Sequence, residues 1–308
     1  MLINQKEWED AFKGIYRGDV EFAMPMKNHT SLAIGGPADV MVSPADPVSL
    51  KNIVLMSREK NIPVLPFGGG TNILVRDSGI DGVVINFKSF RMIHAVREQG
   101  NDIKLFVEAG TPLQMLVNFC KEKGYAGIEG LTGIPGTFGG AICGNAGSYG
   151  YEIKDVIQSV LIMSSDGKLD RFSVEDLGFR YRRSNIKSTD IVLNANIILC
   201  KDDKDAVAGR IQRYLAEKKK TQPISDRSAG CVFKNPEEGS AGKLIDEAGC
   251  KGKKIGGVEV SSVHANFFVN SGNGTASDYM SLMQEVSLIV EKKYGIVLEP
   301  EIRVIGKG

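Results

Sequence analysis

Histidine is scarce in this chain of 308 residues: there are three, His29, His94 and His264, far apart. The five cysteines, Cys120, Cys143, Cys200, Cys231 and Cys250, are odd in number, widely spaced and contain no C-x-x-C. This excludes a zinc site built at ligand spacing and a disulfide scaffold, and it suits reduced thiols in a cytosol. No metal is expected. An excess of one charge is also missing, since 38 Lys and Arg against 37 Asp and Glu leave a net charge of +1. Such a balance argues against a nucleic-acid or membrane-surface partner while permitting a local basic site. The opening decapeptide MLINQKEWED is charged and mixed, so no signal peptide is expected. The longest uncharged run, 130–151, holds eight glycines and Pro135, too loose a composition for a spanning helix. A soluble, cytoplasmic protein is the expectation.

Glycine is what the chain has in abundance, with 36 residues. Collagen is excluded, because there is no three-residue period and only 11 prolines. Disorder is excluded by a 42% hydrophobic content at near-zero net charge. Much of the glycine falls in two loops, PFGGGTNILV (66–75) and GIPGTFGGAICGNAGSYG (133–150). Glycine frees the backbone for left-handed angles and lets N–H groups converge on an anion, so a pyrophosphate is the natural guest; mobile surface loops are the plainer alternative. The short phosphate fingerprints are missing. Gly68-x-Gly70 is followed by Ile73 where G-x-G-x-x-G needs glycine, and Gly242-Lys243 leads to Leu244 where a P-loop needs Ser or Thr.

Periodicity predicts helices over 3–17, 47–59, 112–123, 204–220, 241–248 and 276–293. Strands are predicted over 39–43, 62–66, 82–87, 156–164, 191–200, 230–236, 257–260, 265–269 and 297–305, with hairpins turning near 99–102 and 166–167. This irregular interleaving predicts an α+β fold rather than a doubly wound sheet. The length suits two domains, divided near residue 200 into 1–200 and 201–308.

A scattered polar set remains: Arg182 in YRRS, Cys231 in SAGCVFKNP and Glu301 in LEPEIRVIG. An arginine, a proton-bearing side chain and a carboxylate together would handle an anionic intermediate. Each also reads as structure alone, namely a surface charge, a buried thiol and a strand-edge carboxylate, and spacing does not bring them together. Lys218, Lys219 and Lys220 either complement a helix C-terminus or attract a phosphorylated substrate. His29 is given no chemistry.

In this order NHTSLAIGGPAD, PFGGGTNILV, GIPGTFGGAICGNAGSYG, YRRS, CVFKNP and LEPEIRVIG span nearly the whole chain, and together they resemble the UDP-N-acetylenolpyruvoylglucosamine reductase (MurB) family. The resemblance implies a two-part FAD-binding domain of the vanillyl-alcohol-oxidase (PCMH) type over 1–200. A smaller C-terminal α+β substrate domain over 201–308 is implied with it. It implies non-covalent FAD, NADPH as reductant, and UDP-N-acetylglucosamine enolpyruvate as a small-molecule substrate of peptidoglycan precursor synthesis. A monomer without nucleic-acid or membrane-spanning partners is expected. On this resemblance Gly68, Gly69, Gly70, Thr71 and Asn72 match the first FAD loop, and Ile134, Gly136, Gly139, Gly140, Asn145 and Ala146 the second. Tyr149 and Asn235 match substrate contacts; Arg182 and Glu301 match catalytic residues. Cys231 is a departure, standing where the family usually carries the serine that donates the final proton. It follows Arg182 by only 49 positions, which looks like the shorter subclass without a segment that closes over the substrate. Two rivals share the glycine loops. An alcohol oxidase on the same fold has no reason to carry YRRS, CVFKNP and LEPE together, and a non-catalytic nucleotide-sugar binder need not bleach a flavin.

Overall fold

The computed structural model describes residues 5–308, except for the side chains of residues 7, 11 and 12. The chain divides into two compact units, neither continuous in sequence. The first takes the chain up to residue 22, then 39–69 and 82–216; the second takes 23–38, 70–81 and 217–308.

The first unit is built on two sheets. One runs in the order Gly18–Pro25, Pro37–Pro44, Ile80–Asn86, Val64–Phe67. Its inner strand Pro37–Pro44 is buried at every position but the first, as a strand covered on both faces must be. Helix Pro47–Glu59 packs here through Leu50, Ile53 and Val54. Proline at its first position and the Asp46 carboxylate, accepting the Ser49 N–H at 2.8 Å, start that helix.

The second sheet is antiparallel, in the order Leu169–Ser173, Ile157–Met163, Ile191–Lys201, Asp102–Glu108, Ile93–Gln99, with Tyr125–Ala126 added on Ile191–Lys201. Strand Asp102–Glu108 buries Ile103, Leu105 and Val107, alternate residues turned to one face. Against the same core lie Leu113, Leu116, Val117 and Cys120 of helix Leu113–Lys123, which ends at Gly124 in the left-handed region (φ +71°).

The second unit has an antiparallel sheet, Ser228–Cys231, Phe267–Asn270, Val258–Val260, Lys254–Ile255. It shares a core with helices Ala241–Glu247 and Ala276–Tyr294. A capping box starts the long helix: the Thr275 hydroxyl accepts from Asp278 N, and the Asp278 carboxylate accepts from Thr275 N, both at 3.0 Å. A separate parallel pair joins Ile73–Val75 to Arg303–Ile305.

Both predicted hairpins form, as Ile93–Gln99 with Asp102–Glu108 and Ile157–Met163 with Leu169–Ser173. Three expectations need correction. The helix expected over 3–17 occupies Gln5–Phe12, with residues 3 and 4 outside the described residues; beyond it Gly14 takes φ +81°. The last strand is only Arg303–Ile305, because Pro300 offers no N–H and meets Phe233 in an isolated bridge. The strand expected over 230–236 is Ser228–Cys231, displaced by a register shift against Phe267–Asn270.

The first unit also holds a buried ion pair. The Glu129 side chain is 2% exposed, and its carboxylate accepts from Arg210 Nε at 2.8 Å and from Gly127 N–H at 2.7 Å. Arg210 reaches Asp202 as well, at 2.6 Å, and these carboxylate contacts push its pKa up. Removing the guanidinium leaves a carboxylate buried without its countercharge. Arg210→Ala should therefore cost about 3 kcal/mol in urea unfolding, and adding Glu129→Gln should recover part of it. A loss below about 0.5 kcal/mol would mean that solvent already reaches Glu129.

Candidate active site

The first glycine loop leaves strand Val64–Phe67, and the unit division passes through it. Gly68 and Gly69 close a segment of the first unit; Gly70, Thr71 and Asn72 open a segment of the second. A Cβ added to Gly68 would lie 2.7 Å from the Thr137 hydroxyl, so the first loop touches the second within the first unit. In the second unit Gly70, at φ +63°, accepts the Ser31 N–H at 3.1 Å. Asn72 is fixed at both ends of its residue. Its side-chain amide donates to the Glu301 carbonyl at 3.2 Å, and its carbonyl accepts from Arg303 N at 3.1 Å.

The second loop is more ordered than its composition suggests. Ile134 N–H donates to Leu131 at 3.1 Å, and Gly136 takes φ +111°. Thr137 then caps a short helix, Phe138–Cys143, its hydroxyl accepting from Gly140 N at 3.4 Å. Gly139 presses on Ala109: its N–H donates to the Ala109 carbonyl at 2.8 Å, and an added Cβ would meet the Ala109 Cβ at 2.8 Å. Only glycine fits there. Ala146 N–H donates back to Ala141 at 2.8 Å, closing the loop on the helix.

Asn145 and Tyr149 both have positive φ, +42° and +54°. Asn145 is fully buried; its amide donates to the Arg180 carbonyl at 3.0 Å and accepts the Lys154 N–H at 3.3 Å. The Tyr149 hydroxyl donates to the Tyr214 carbonyl at 3.2 Å, and the two rings stack with centroids 4.6 Å apart.

Arg182 belongs to a turn closed by reciprocal bonds between Arg180 and Arg183, at 2.9 and 3.1 Å. It is half-buried, at φ +54°, with its guanidinium carbon 5.2 Å from the Tyr181 ring centroid. Ser184, just past the turn, donates its hydroxyl to the Cys143 carbonyl at 2.8 Å. The second glycine loop and the arginine turn, distant in sequence, are thus joined twice, through Asn145 and Ser184.

Cys231, Asn235 and Glu301 lie in the second unit. Cys231 ends its strand, half-buried and paired with Phe267. The next carbonyl, of Val232, accepts the Glu301 N–H at 2.8 Å, so the thiol and the carboxylate occupy adjoining backbone. Asn266 holds that backbone, with its amide bonded to both Phe233 N (3.0 Å) and Phe233 O (2.8 Å). The Asn235 side chain accepts from Ala241 N at 3.0 Å, giving it a structural task at the start of helix Ala241–Glu247.

Four residues escaped the sequence reading: Thr137, Tyr214, Asn266 and Tyr279. Thr137 had a signal, a hydroxyl three residues before Gly140 at the start of a helical turn, which the glycines masked. The others act through tertiary contacts and had none. Tyr279 is wholly buried, and burial, reinforced by the neighbouring Cys231, pushes its phenol far above the usual range. No helix among the described residues is long and apolar enough to cross a membrane, and no metal-ligand cluster occurs among them.

Residues 38–173 match the FAD binding domain family, and residues 222–305 the UDP-N-acetylenolpyruvoylglucosamine reductase, C-terminal domain family. The UDP-N-acetylenolpyruvoylglucosamine reductase of Geotalea uraniireducens is 42% identical over 290 residues, 94% of this chain and 95% of that protein. The crystal structure of the Thermus caldophilus enzyme superposes with a TM-score of 0.80 at 33% identity, covering 94% of this chain and 99% of that one. Physcomitrella patens BBE-like 1 superposes at 0.50 and 15% identity over 63% of this chain and 44% of its own, a likeness of fold alone. The α+β architecture with an FAD-binding domain is therefore the observed one. From end to end, the chain belongs to the UDP-N-acetylenolpyruvoylglucosamine reductase (MurB) family of oxidoreductases.

Proposed function

We propose that the protein reduces the enolpyruvyl group of UDP-N-acetylglucosamine enolpyruvate to the lactyl ether, UDP-N-acetylmuramate, in the cytoplasm, with NADPH as reductant and FAD held non-covalently. The observation that carries this reading is the 42% identity to a reductase of that name across 94% of the chain. In functional terms residues 1–200 serve the flavin, and residues 201–308 complete the substrate site.

The residues present fit FAD. At Gly68 and Gly139 a Cβ would intrude to 2.7–2.8 Å on Thr137 and Ala109, leaving a surface of bare backbone suited to a pyrophosphate. Gly68, Gly69, Gly70, Thr71 and Asn72, with Ile134, Gly136, Gly139, Gly140, Asn145 and Ala146, would hold it. When bound, FAD would supply the hydride chemistry that links NADPH to C3 of the enolpyruvyl group.

Negative charge then develops at C2 and on the adjoining carboxylate. Arg182 offers a fixed positive charge to it, held by the Arg180–Arg183 turn so that little reorganisation is needed. Glu301 in its carboxylic-acid form would donate a hydrogen bond to the same enolate. Cys231 delivers its thiol proton to C2. A thiol, with a pKa ordinarily near about 8.5, is a stronger acid than a serine hydroxyl and can take that role. Tyr149 and Asn235 contact the nucleotide sugar.

The purified protein should be yellow, bleach with NADPH, and regain colour anaerobically only when the enolpyruvyl nucleotide sugar is added. In that assay Cys231→Ser should stay active, while Cys231→Ala should lose about two or more orders of magnitude in flavin reoxidation by substrate. Unimpaired reoxidation in the alanine variant would remove Cys231 from the reaction. Separately, Gly139→Ala should lower the FAD content per protein, measured by absorbance after gel filtration. A full complement of flavin in that variant would show that the Gly139–Ala109 contact does not shape the cofactor loop.

A further inference from the structure

The second glycine loop ends in a small antiparallel hairpin, with Gly147 opposite Glu152 and Ser148 opposite Tyr151. Its two-residue turn is Tyr149-Gly150, and both residues are left-handed, at φ +54° and +81°, as a type I′ turn requires. Asparagine before glycine is the favoured pair in such a turn, and a tyrosine in the first place is strained. Strain of that kind lasts only where other contacts hold it, and it gathers where a side chain is needed. The holding contact here is Tyr214, on helix Lys204–Thr221 in the same unit. The two rings lie 14° from parallel with centroids 4.6 Å apart, and the Tyr149 hydroxyl donates to the Tyr214 carbonyl at 3.2 Å. Tyr214 is itself well fixed. Tyr151, just past the turn, meets its ring edge to face at 6.0 Å. Arg213 donates to its hydroxyl at 3.2 Å, with the guanidinium carbon 4.9 Å from its ring centroid. One helical turn earlier Arg210 is bound to the buried Glu129. Gly130, next to Glu129, completes the contact: a Cβ there would run into the Tyr151 ring and the Ser148 carbonyl.

We propose that Tyr214 is a positioning residue that acts through Tyr149, holding its ring in one orientation before the nucleotide sugar arrives. The proposal rests on the reading of Tyr149 as a substrate contact. A ring stacked on one face, with its hydroxyl engaged, has little rotamer freedom left to lose when the substrate binds. Without the stack, the strained turn relaxes and the tyrosine must be ordered again at each binding event. The loss therefore falls on substrate affinity, while the reacting groups at Arg182, Cys231 and Glu301 are left as they were. Arg210 and Glu129 serve the same end from a distance, by fixing the helical turn that precedes Tyr214.

The test uses FAD-loaded full-length protein. Tyr214→Leu should raise KM for the enolpyruvyl nucleotide sugar at least about fivefold, with kcat within about twofold of native. Tyr214→Phe keeps the stack, and the acceptor of the Tyr149 hydroxyl is main chain, so its KM should stay within about twofold of native. Tyr214→Met, also a good helix former, repeats the measurement if the leucine variant folds poorly. Since Tyr214 acts through Tyr149, adding Tyr214→Leu to Tyr149→Leu should change KM by less than about twofold. No rise in the single variant, or an equal rise in both backgrounds, would overturn the proposal. A second readout needs no substrate: amide exchange across 147–152 should quicken at least about tenfold in Tyr214→Leu and stay native in Tyr214→Phe. Native exchange in the leucine variant would overturn the proposal as well. Native KM in Tyr149→Leu would remove the substrate reading of Tyr149 and the proposal with it. A wild-type protein that leaves the enolpyruvyl sugar untouched would instead defeat the proposed activity, which the exchange measurement does not depend on.

Discussion

One buried amide ties the second glycine loop to the arginine turn in the first unit. Asn145 holds a left-handed backbone that costs an ordinary side chain about 1 kcal/mol or more, and asparagine is among the residues that tolerate it. Its amide accepts from Lys154 N and donates to Arg180 O, so the strained corner of the glycine loop and the arginine turn are fixed by one group. Tyr149 and Arg182 are also left-handed, and both are compensated locally. Tyr149 has its stack and hydroxyl bond on Tyr214, while Arg182 sits inside the Arg180–Arg183 bonds. Strain of this kind persists only where its surroundings over-determine it, and here Asn145 and Arg182 share the bonds of the Arg180 turn while Tyr149 has its own on Tyr214.

The second unit meets a comparable problem with asparagine side chains bonded to main-chain groups. After Cys231 the strand leaves its ladder, and Asn266 takes over by bonding both polar groups of Phe233, while its own carbonyl accepts Val232 N at 2.8 Å. That leaves the Val232 carbonyl for Glu301 N. From the other side Asn72 grips the Glu301 carbonyl. The backbone that carries the thiol and the carboxylate is therefore fixed by bonds to its own main-chain groups.

Much of the fold was legible because its signals are local. Gly124 after an amphipathic run and Asp166-Gly167 between alternating runs mark a helix end and a hairpin turn with little help from elsewhere. Phe138–Cys143 was not legible: two glycines in six residues read as loop, and only the Thr137 cap and the close approach of Ala109 make it helical. The final strand was over-read because apolar alternation outweighed the missing N–H of Pro300. The glycine loops stand out in composition, and Arg182, Cys231 and Glu301 were singled out by their motifs alone. Nothing local announced Tyr214, Asn266 or Tyr279, whose contacts reach 65, 33 and 11 residues along the chain.

The division of the chain inside Gly68–Asn72 bears on how such a protein can be inherited. Residues 217–308 alone would lack 23–38 and 70–81, and with them the strand Ile73–Val75 that pairs with Arg303–Ile305 and the Asn72 amide on Glu301. A genetic crossover that exchanged only the final third of the coding sequence would import one half of that pairing and leave the other half behind. The five codons from Gly68 to Asn72 therefore form a seam at which recombination must respect partners more than two hundred residues downstream.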